Sequence, residues 1–248
     1  MTSEWFADEN FWEANFPFLF PDARMKAAPE DVARALALAG GNPHDVLDLC
    51  CGPGRHSIAL AKRSLQVTGV DRSRFLLRKA REQADSDGVA IEWIESDMRE
   101  FRRPAGFDLV LNLFTSFGYF EDDSQNRNVL ANIYASLRTG GVFVIDTLGK
   151  EPFARIFAPT GVDEIPGAGW MIQKRTISDD WTRITVEWIL LEGETVLRFH
   201  FRHWLYSGRE LKEMLLSAGF RDVKLYGSLD GSSYDADAKR LVAVARKE

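Results

Sequence analysis

The residues best suited to chemistry are concentrated in the run Val46-Leu-Asp-Leu-Cys-Cys-Gly-Pro-Gly-Arg-His-Ser57. A strand ends at Asp48 and Leu49, and Gly52 and Gly54 then turn tightly into a helix. A glycine lets backbone approach a ligand where a Cβ would stand in the way. In an open parallel sheet the ligand binds outside the carboxyl ends of the strands, where strand order reverses. Asp71 closes the next strand, nineteen residues beyond Gly52, where a carboxylate accepts both hydroxyls of a ribose. The run therefore reads as a site for an adenosine-containing ligand. Three departures separate it from a dinucleotide fingerprint. Ser57 stands where the third glycine belongs, and Pro53 has no N–H to offer a pyrophosphate. Asp48 would repel a diphosphate but suits a cationic amino group. These departures disfavour NAD or FAD and favour a ligand carrying an ammonium and a sulfonium. The plainer alternative is a tight strand–helix turn with incidental glycines.

Elements must hold these residues, and the hydrophobic pattern alternates strand with helix. Residues 46–49, 65–70, 91–94, 107–111 and 142–145 read as buried strands. Between them lie a helix through 58–62 and one capped by Ser73. A third, opened by Asp122 or Asp123, carries Val129, Leu130, Ile133 and Leu137 at helical spacing and closes at Gly140-Gly141. Apolar strands separated by amphipathic helices predict an α/β fold, a doubly wound parallel sheet covered on both faces. The first forty residues read as helices and connectors, with Pro29 in the first turn of a helix over 32–39. After the fifth strand the period changes. Residues 170–177, 182–192 and 195–206 are rich in β-branched and aromatic types, which predicts an antiparallel β-meander insertion. Ser207 and Glu210 form a capping box, Gly219 ends that helix, and strands at 223–226 and 241–245 finish the chain. The expected organisation is one domain over 1–248. It comprises an N-terminal helical cap (1–42), a cofactor-binding core (43–150), a β insertion or lid (151–206) and the end of the core (207–248).

In this order and spacing the motifs resemble the class I S-adenosylmethionine-dependent methyltransferases, small-molecule type, across most of the chain. The first motif of that family is similar to 46–54 here, with Asp48, Cys50, Gly52 and Gly54. Its second, an acidic residue after the next strand, matches Asp71, followed by Arg72. Its third matches Asp97-Met98, which in the family hold the adenine through a carboxylate and a backbone N–H. The fourth is similar to 107–114, with Asn112 and Phe114 lining the methyl-transfer site. The resemblance implies a seven-stranded sheet with an antiparallel final hairpin. It also implies S-adenosylmethionine as cofactor, S-adenosylhomocysteine as product, and no metal. Plainer readings stand beside these. Asp97 is also a natural helix N-cap, Asp108 reads as structural, Met98 and Phe114 suit a core, and the arginines over 72–81 suit a solvated helix face.

On the acceptor side, no proline follows Asn112, unlike the pattern of enzymes that methylate exocyclic base nitrogens. With a net charge of −6 and a pI of about 5.4, this argues against a nucleic-acid partner. Phe114, Phe117, Tyr119 and Phe120 would make an aromatic wall, and aromatic faces attract cations and apolar groups alike. The N-terminal Trp5, Phe6, Phe11, Trp12, Phe16 and Phe18 are too aromatic to lie free in water and would cover the pocket. The meander would form the other wall or a dimer interface. Trp12, Phe117, Tyr119, Arg175 and His200 are the candidate substrate-binding residues. Alternation along 195–206 puts Leu197, Phe199, Phe201, His203 and Leu205 on one face. Burial in that row would keep His203 neutral and able to take a proton, or would make it a core histidine bonded to a carbonyl. Tyr119 is the second candidate base.

The expected function is transfer of a methyl group to an N, O or C nucleophile of a small molecule by in-line displacement. Much of that acceleration can come from alignment, so a base is needed only if the acceptor must lose a proton. The competing readings are a nicotinamide-dependent oxidoreductase on the same fold and a non-catalytic S-adenosylmethionine-binding protein. The 248 residues are 45% hydrophobic and 27% charged, ordinary for a soluble protein. Cys50 and Cys51 are adjacent, which suits neither a disulfide nor a zinc site and points to the cytoplasm. The N-terminus lacks the pattern of a signal peptide and no stretch would span a bilayer. The expected assembly is a monomer or homodimer, with no membrane partner.

Overall fold

The computed structural model describes residues 4–248, so the first three residues of the expected N-terminal cap lie outside the described residues. A short 3-10 turn at Trp5–Ala7 leads into α1 (Glu9–Leu19) and α2 (Asp22–Ala39). The alternating core then runs β1 (Asp45–Leu49), α3 (Arg55–Ala61), β2 (Gln66–Asp71), α4 (Arg74–Asp87), β3 (Glu92–Glu95), β4 (Phe107–Asn112), α5 (Asp123–Ser136) and β5 (Leu137–Thr147). After α6 (Lys150–Ile156) come the four strands β6 (Thr160–Ile165), β7 (Gly169–Ile177), β8 (Arg183–Glu192) and β9 (Thr195–Trp204). The core resumes with α7 (Gly208–Ser217), β10 (Arg221–Tyr226) and β11 (Leu241–Arg246).

The seven core strands form one sheet in the order β3-β2-β1-β4-β5-β11-β10. The pairings among β1 to β5 are parallel, and β11 pairs antiparallel with both β5 and β10. Strand order reverses between β1 and β4, which fixes the crevice at their carboxyl ends. Apolar residues fill both faces. Val46, Leu109 and Val144 pack with Val32 and Ala35 of α2, while Leu47, Val110 and Ile145 pack with Val129 and Ile133 of α5. The helices start where local chemistry dictates. Ser73 accepts from the Leu76 N–H, Asp122 from the Ser124 N–H, and Ser207 with Glu210 closes the anticipated capping box.

The β insertion is a second, antiparallel sheet in the order β6-β7-β8-β9. The sequence pattern shows three of its strands. The missed one, β6, is an edge strand with four of its six residues exposed and Asp163 and Glu164 in sequence, so it carries no apolar alternation. A third core joins this sheet to α1, with Phe11 against Trp188 at 5.7 Å and an interplanar angle of 16°. Such aromatic pairs contribute about 0.5–1.5 kcal/mol beyond their burial.

Two predicted boundaries are corrected. Pro29 does not open a helix; it lies inside α2, which starts beside Pro21. Pro29 is exposed, so the carbonyl one turn earlier can bond water instead of the missing N–H. Leu137 does not continue α5; it begins β5 opposite Phe107, and Gly140 at φ +80° lies within that strand.

Candidate functional site

A cavity of about 300 Å³ opens at the carboxyl ends of β1, β2 and β4. Its floor includes Cys50, Gly52 and Asp71, and its opposite wall comes from α1, β8 and β9. Gly52 takes φ +56° and donates its N–H to Asp71 Oδ2 at 2.8 Å, while Ser73 N–H reaches Oδ1 at 2.9 Å. One carboxylate thus ties the glycine turn to the start of α4 and still lines the cavity. Burial raises the Asp71 pKa to about 6 and the Asp48 charge adds to the rise, while the N–H groups of Ser73 and Gly52 oppose it.

Gly54 makes the expected turn into α3, at φ +76°, but does not reach the cavity. A Cβ there would come within 2.6 Å of the Trp93 ring and 2.9 Å of Ala80, so this glycine permits packing and does not line the cavity. Asp48 and Asn112 also sit off the cavity wall. Asp48 accepts the Ser57 hydroxyl at 2.6 Å, which explains a serine where a dinucleotide fold has glycine. Asn112 Nδ2 donates to the Leu49 carbonyl at 3.1 Å and so holds the ends of β1 and β4 together.

Three non-glycine residues at these strand ends adopt the left-handed region: Cys50 (φ 61°), Phe114 (φ 65°) and Thr115 (φ 61°). All three line the cavity. Such conformations cost about 1–3 kcal/mol each and persist where surrounding structure over-determines them. At Phe114 and Thr115 Asp146 does so. Its backbone carbonyl accepts from Thr115 N–H at 2.9 Å and its side chain from Phe114 N–H at 3.2 Å. Arg240 bridges Asp146 and the Thr115 hydroxyl, each at 2.7 Å.

Arg240 belongs to a cationic group that the sequence did not reveal. The guanidinium of Arg24 lies 4.4 Å and that of Arg55 5.2 Å from the Phe114 ring centroid. Arg55 is paired with Asp31 at 2.7 Å and Arg240 with Asp146. Among the described residues no carboxylate pairs with Arg24, whose guanidinium donates to the Leu19 carbonyl. Burial, Arg55 and Arg240 together lower its pKa, so this end of the cavity favours an anion.

At the opposite end Asp97 and Met98 line the cavity, with Met98 Sδ 3.5 Å from Cys50 Sγ. Asp97 accepts from Arg72 at 2.7 Å and from Arg99 at 2.7 and 3.0 Å, and it also caps the turn at the Arg99 N–H. Burial pushes its pKa up, but the Arg99 bonds prevail and hold it low. Both arginines continue to Glu4, at 2.6 to 3.0 Å. Glu9 meanwhile accepts from the Ser73 hydroxyl and from the N–H groups of Arg74 and Phe75 at the start of α4. Two carboxylates therefore strap the N-terminal segment across the cofactor-side edge and carry Trp5, Phe6 and Trp12 into the cavity wall.

Of the aromatic run after β4, Phe114, Tyr119 and Phe120 line the cavity. Phe117 does not: it is 1% exposed and packs on Tyr206 in the core. Two more substrate-binding expectations are corrected. His200 lies on the outer face of the second sheet beside Glu187, at 3.5 Å. Arg175 is turned to Gln173 and the Ala158 carbonyl. Neither reaches the cavity. Trp12 and His203 do line it. Burial lowers the His203 pKa below its usual 6.5, against a bond to the Trp204 carbonyl that raises it. Burial raises that of Tyr119, so its phenol stays protonated at neutral pH. Trp5, Trp188 and Phe201 complete this wall and were not singled out in sequence as substrate contacts. Among the described residues no group of three or more His, Cys, Asp or Glu side chains is placed to hold a metal, and no helix is long and apolar enough to cross a membrane.

Residues 46–141 match the family model of the methyltransferase domain. The chain is 27% identical over 207–208 aligned positions to relatives that include the cypemycin N-terminal methyltransferase of Streptomyces sp., covering 82% of this chain and 83% of that protein. Its fold is similar to that of the CcbJ methyltransferase from Streptomyces caelestis, with a TM-score of 0.77 at 21% identity over 90% of this chain and 95% of that one. An amino pentose methyltransferase from Micromonospora echinaspora, solved with S-adenosylmethionine bound, gives 0.68 at 23% identity over 96% of each chain.

Proposed function

We propose that this chain, which belongs to the class I S-adenosylmethionine-dependent methyltransferases, methylates a small molecule enclosed between its cofactor-binding edge and its second sheet. The observation that carries this reading is one cavity that joins Gly52, Asp71 and Asp97 to the aromatic wall of Tyr119, Trp188 and Phe201. When bound, the cofactor supplies an electrophilic methyl group on a sulfonium. The residues fit it. Asp71 would accept the ribose hydroxyls, and Asp97, Met98 and Arg72 would frame the adenine. The Gly52 backbone and Cys50 would lie along the amino-acid portion, Arg55 and Arg240 on the cavity wall would meet its carboxylate with Arg24 behind them, and Phe114 would flank the transfer site. Asp48, Gly54 and Asn112 support this site from behind through Ser57, Trp93 and Leu49. The wall of Trp5, Trp12 and Tyr119 holds the acceptor in line, and alignment of this kind lowers the barrier without a new charge. His203, neutral and on the wall, would take the acceptor's proton where one must leave. The narrow aromatic-walled cavity and the net charge of −6 support a small acceptor over a nucleic acid, and the free cysteines support a reducing, cytoplasmic setting.

Thermal unfolding tests the cofactor. A ligand at about a hundred times its Kd adds about 2.7 kcal/mol of stability, so S-adenosylhomocysteine should raise the Tm by several degrees and NADPH should not. Transfer of a labelled methyl group to a metabolite mixture then tests turnover. A shift with NADPH alone would return the oxidoreductase reading, and binding without transfer would mark a non-catalytic binder.

The strap gives a further expectation. A site that closes over its cofactor must open to exchange it. Proteolysis within residues 4–20 should slow when S-adenosylhomocysteine is added. Equal cleavage rates would make the segment a permanent wall.

A further inference from the structure

The carboxylate that the sequence pattern offers to the adenine amine has no lone pair left to give it. An ionised carboxyl group accepts at about four positions, two on each oxygen. Asp97 Oδ1 takes the Arg99 backbone N–H at 2.8 Å and Arg99 Nε at 3.0 Å. Its Oδ2 takes Arg72 Nη1 and Arg99 Nη2, both at 2.7 Å. Every acceptor position is therefore filled, and all but one of the donors are guanidinium N–H groups. Bonds between two ionised partners are the strong ones, so an exocyclic amine could enter only by displacing a charged donor with an uncharged one. The arginines are also held from outside, since both reach Glu4 at 2.6 to 3.0 Å.

Arg72 is the group left for the base. It lines the cavity beside Asp97 and Phe6, with its guanidinium carbon 5.4 Å from the Phe6 ring centroid. Its Nη1 is spent on Asp97 and Glu4. Among the described residues Nε and Nη2 have no partner, and neither belongs to the unpartnered side-chain atoms that are shut off from accessible space. A purine carries lone pairs on its ring nitrogens whether or not it carries an amine, so free guanidinium N–H groups have something to meet in either case.

We propose that the base of the cofactor is met by the Arg72 guanidinium, that Asp97 is the positioning residue that holds Arg72 there, and that binding does not depend on the 6-amino group of the purine. The proposal rests on reading this cavity as the S-adenosylmethionine site. It departs from the role that the family resemblance implies for Asp97, which is to accept from that amine directly.

Calorimetry on the full chain tests it by comparing S-adenosylhomocysteine with its 6-deamino analogue, in which hydrogen replaces the amino group and the ring nitrogens stay. Any bond from the Met98 N–H to the ring is thus kept in both. The two ligands are expected to bind within about fivefold of one another. A carboxylate that read the amine would be left unpaired by the analogue and would reject it by about a hundredfold or more, and any loss beyond about fivefold overturns the proposal. Arg72→Met keeps an unbranched side chain and removes the donors, so it should weaken the 6-deamino analogue by about five- to tenfold; an unchanged affinity would overturn the role of Arg72. Arg99→Met vacates one position on each Asp97 oxygen and should create a preference of about tenfold for the ligand that carries the amine. A ratio still near that of the unmodified chain would show that crowding is not what silences Asp97, which also overturns the proposal. Failure of S-adenosylhomocysteine itself to bind the unmodified chain would overturn the cofactor reading instead.

Discussion

Asp71→Asn is expected to weaken S-adenosylhomocysteine binding by about a hundredfold or more, from two charge-assisted hydrogen bonds at about 1.5–3 kcal/mol each. Asn is the appropriate replacement because the Asp71 side chain also accepts from Gly52 and Ser73 N–H groups. An amide keeps one oxygen for that purpose, whereas Ala would release both the glycine turn and the start of α4. Circular dichroism should therefore show an intact fold beside the lost affinity. A pH series adds a second reading of the same carboxylate. The free protein holds Asp71 at about 6, and ribose hydroxyls donate more strongly to the ionised carboxylate than to the neutral acid, so binding lowers that value. Affinity should be full above about pH 6 and fall as the pH drops below it. The stability linkage has the opposite sense: the raised value means that ionised Asp71 costs the free fold stability as the pH rises from 3.8 to about 6. Calorimetry giving wild-type Kd values for the variant, or a Kd flat between about pH 5 and about pH 8, would overturn the assignment of the ribose to Asp71.

The parts of this site that were legible in sequence are those made by one element and its next turn. The strand–glycine–helix run, Asp71 at the end of β2 and Asp97 after β3 each sit at a strand terminus that hydrophobic period locates. What stayed hidden needs distant segments to meet. Arg24 and Arg240 are isolated in sequence, and only the approach of α2 and of the stretch before β11 to Phe114 makes them one cationic group. The substrate-side errors have one source. Period-two alternation separated the rows of β9 and their apolar residues marked the inward one, yet alternation does not say which side chains reach the cavity, and His200 was taken as a contact from the row that faces out. Phe117 shows the same limit on a loop: four aromatic residues in a short run cannot all face one cavity, and the sequence does not say which one turns into the core. Gly54 makes the tight turn expected of it, at φ +76°, while its second constraint comes from Trp93 across the sheet edge and not from a ligand.

His203→Gln is expected to lower turnover by about a hundredfold or more, the contribution of a well-placed base, with S-adenosylhomocysteine affinity barely changed. Geometry now separates the two candidate bases. Tyr119 is held protonated by burial and by the nearby Cys50 and Asp71, so it can donate but not accept at neutral pH. His203 is held neutral by burial, and its Nδ1 is committed to the Trp204 carbonyl. Turnover on an acceptor found in the metabolite screen should be flat above pH 6.5 and fall as the pH drops through the lowered His203 value, because imidazolium cannot take a proton. The same group is linked to stability. Its folded pKa is depressed, so its contribution is present above 6.5 and lost as the pH falls through the folded value. His203→Gln should remove both acid-side losses. His203→Asn serves as the control, since its amide can still donate to the Trp204 carbonyl while offering nothing in place of Nε2. If both variants keep wild-type turnover and only the Tm falls, His203 is a packing residue and the reaction proceeds by alignment alone. If Asn restores turnover and Gln does not, the histidine positions β9 and the proton leaves by another route.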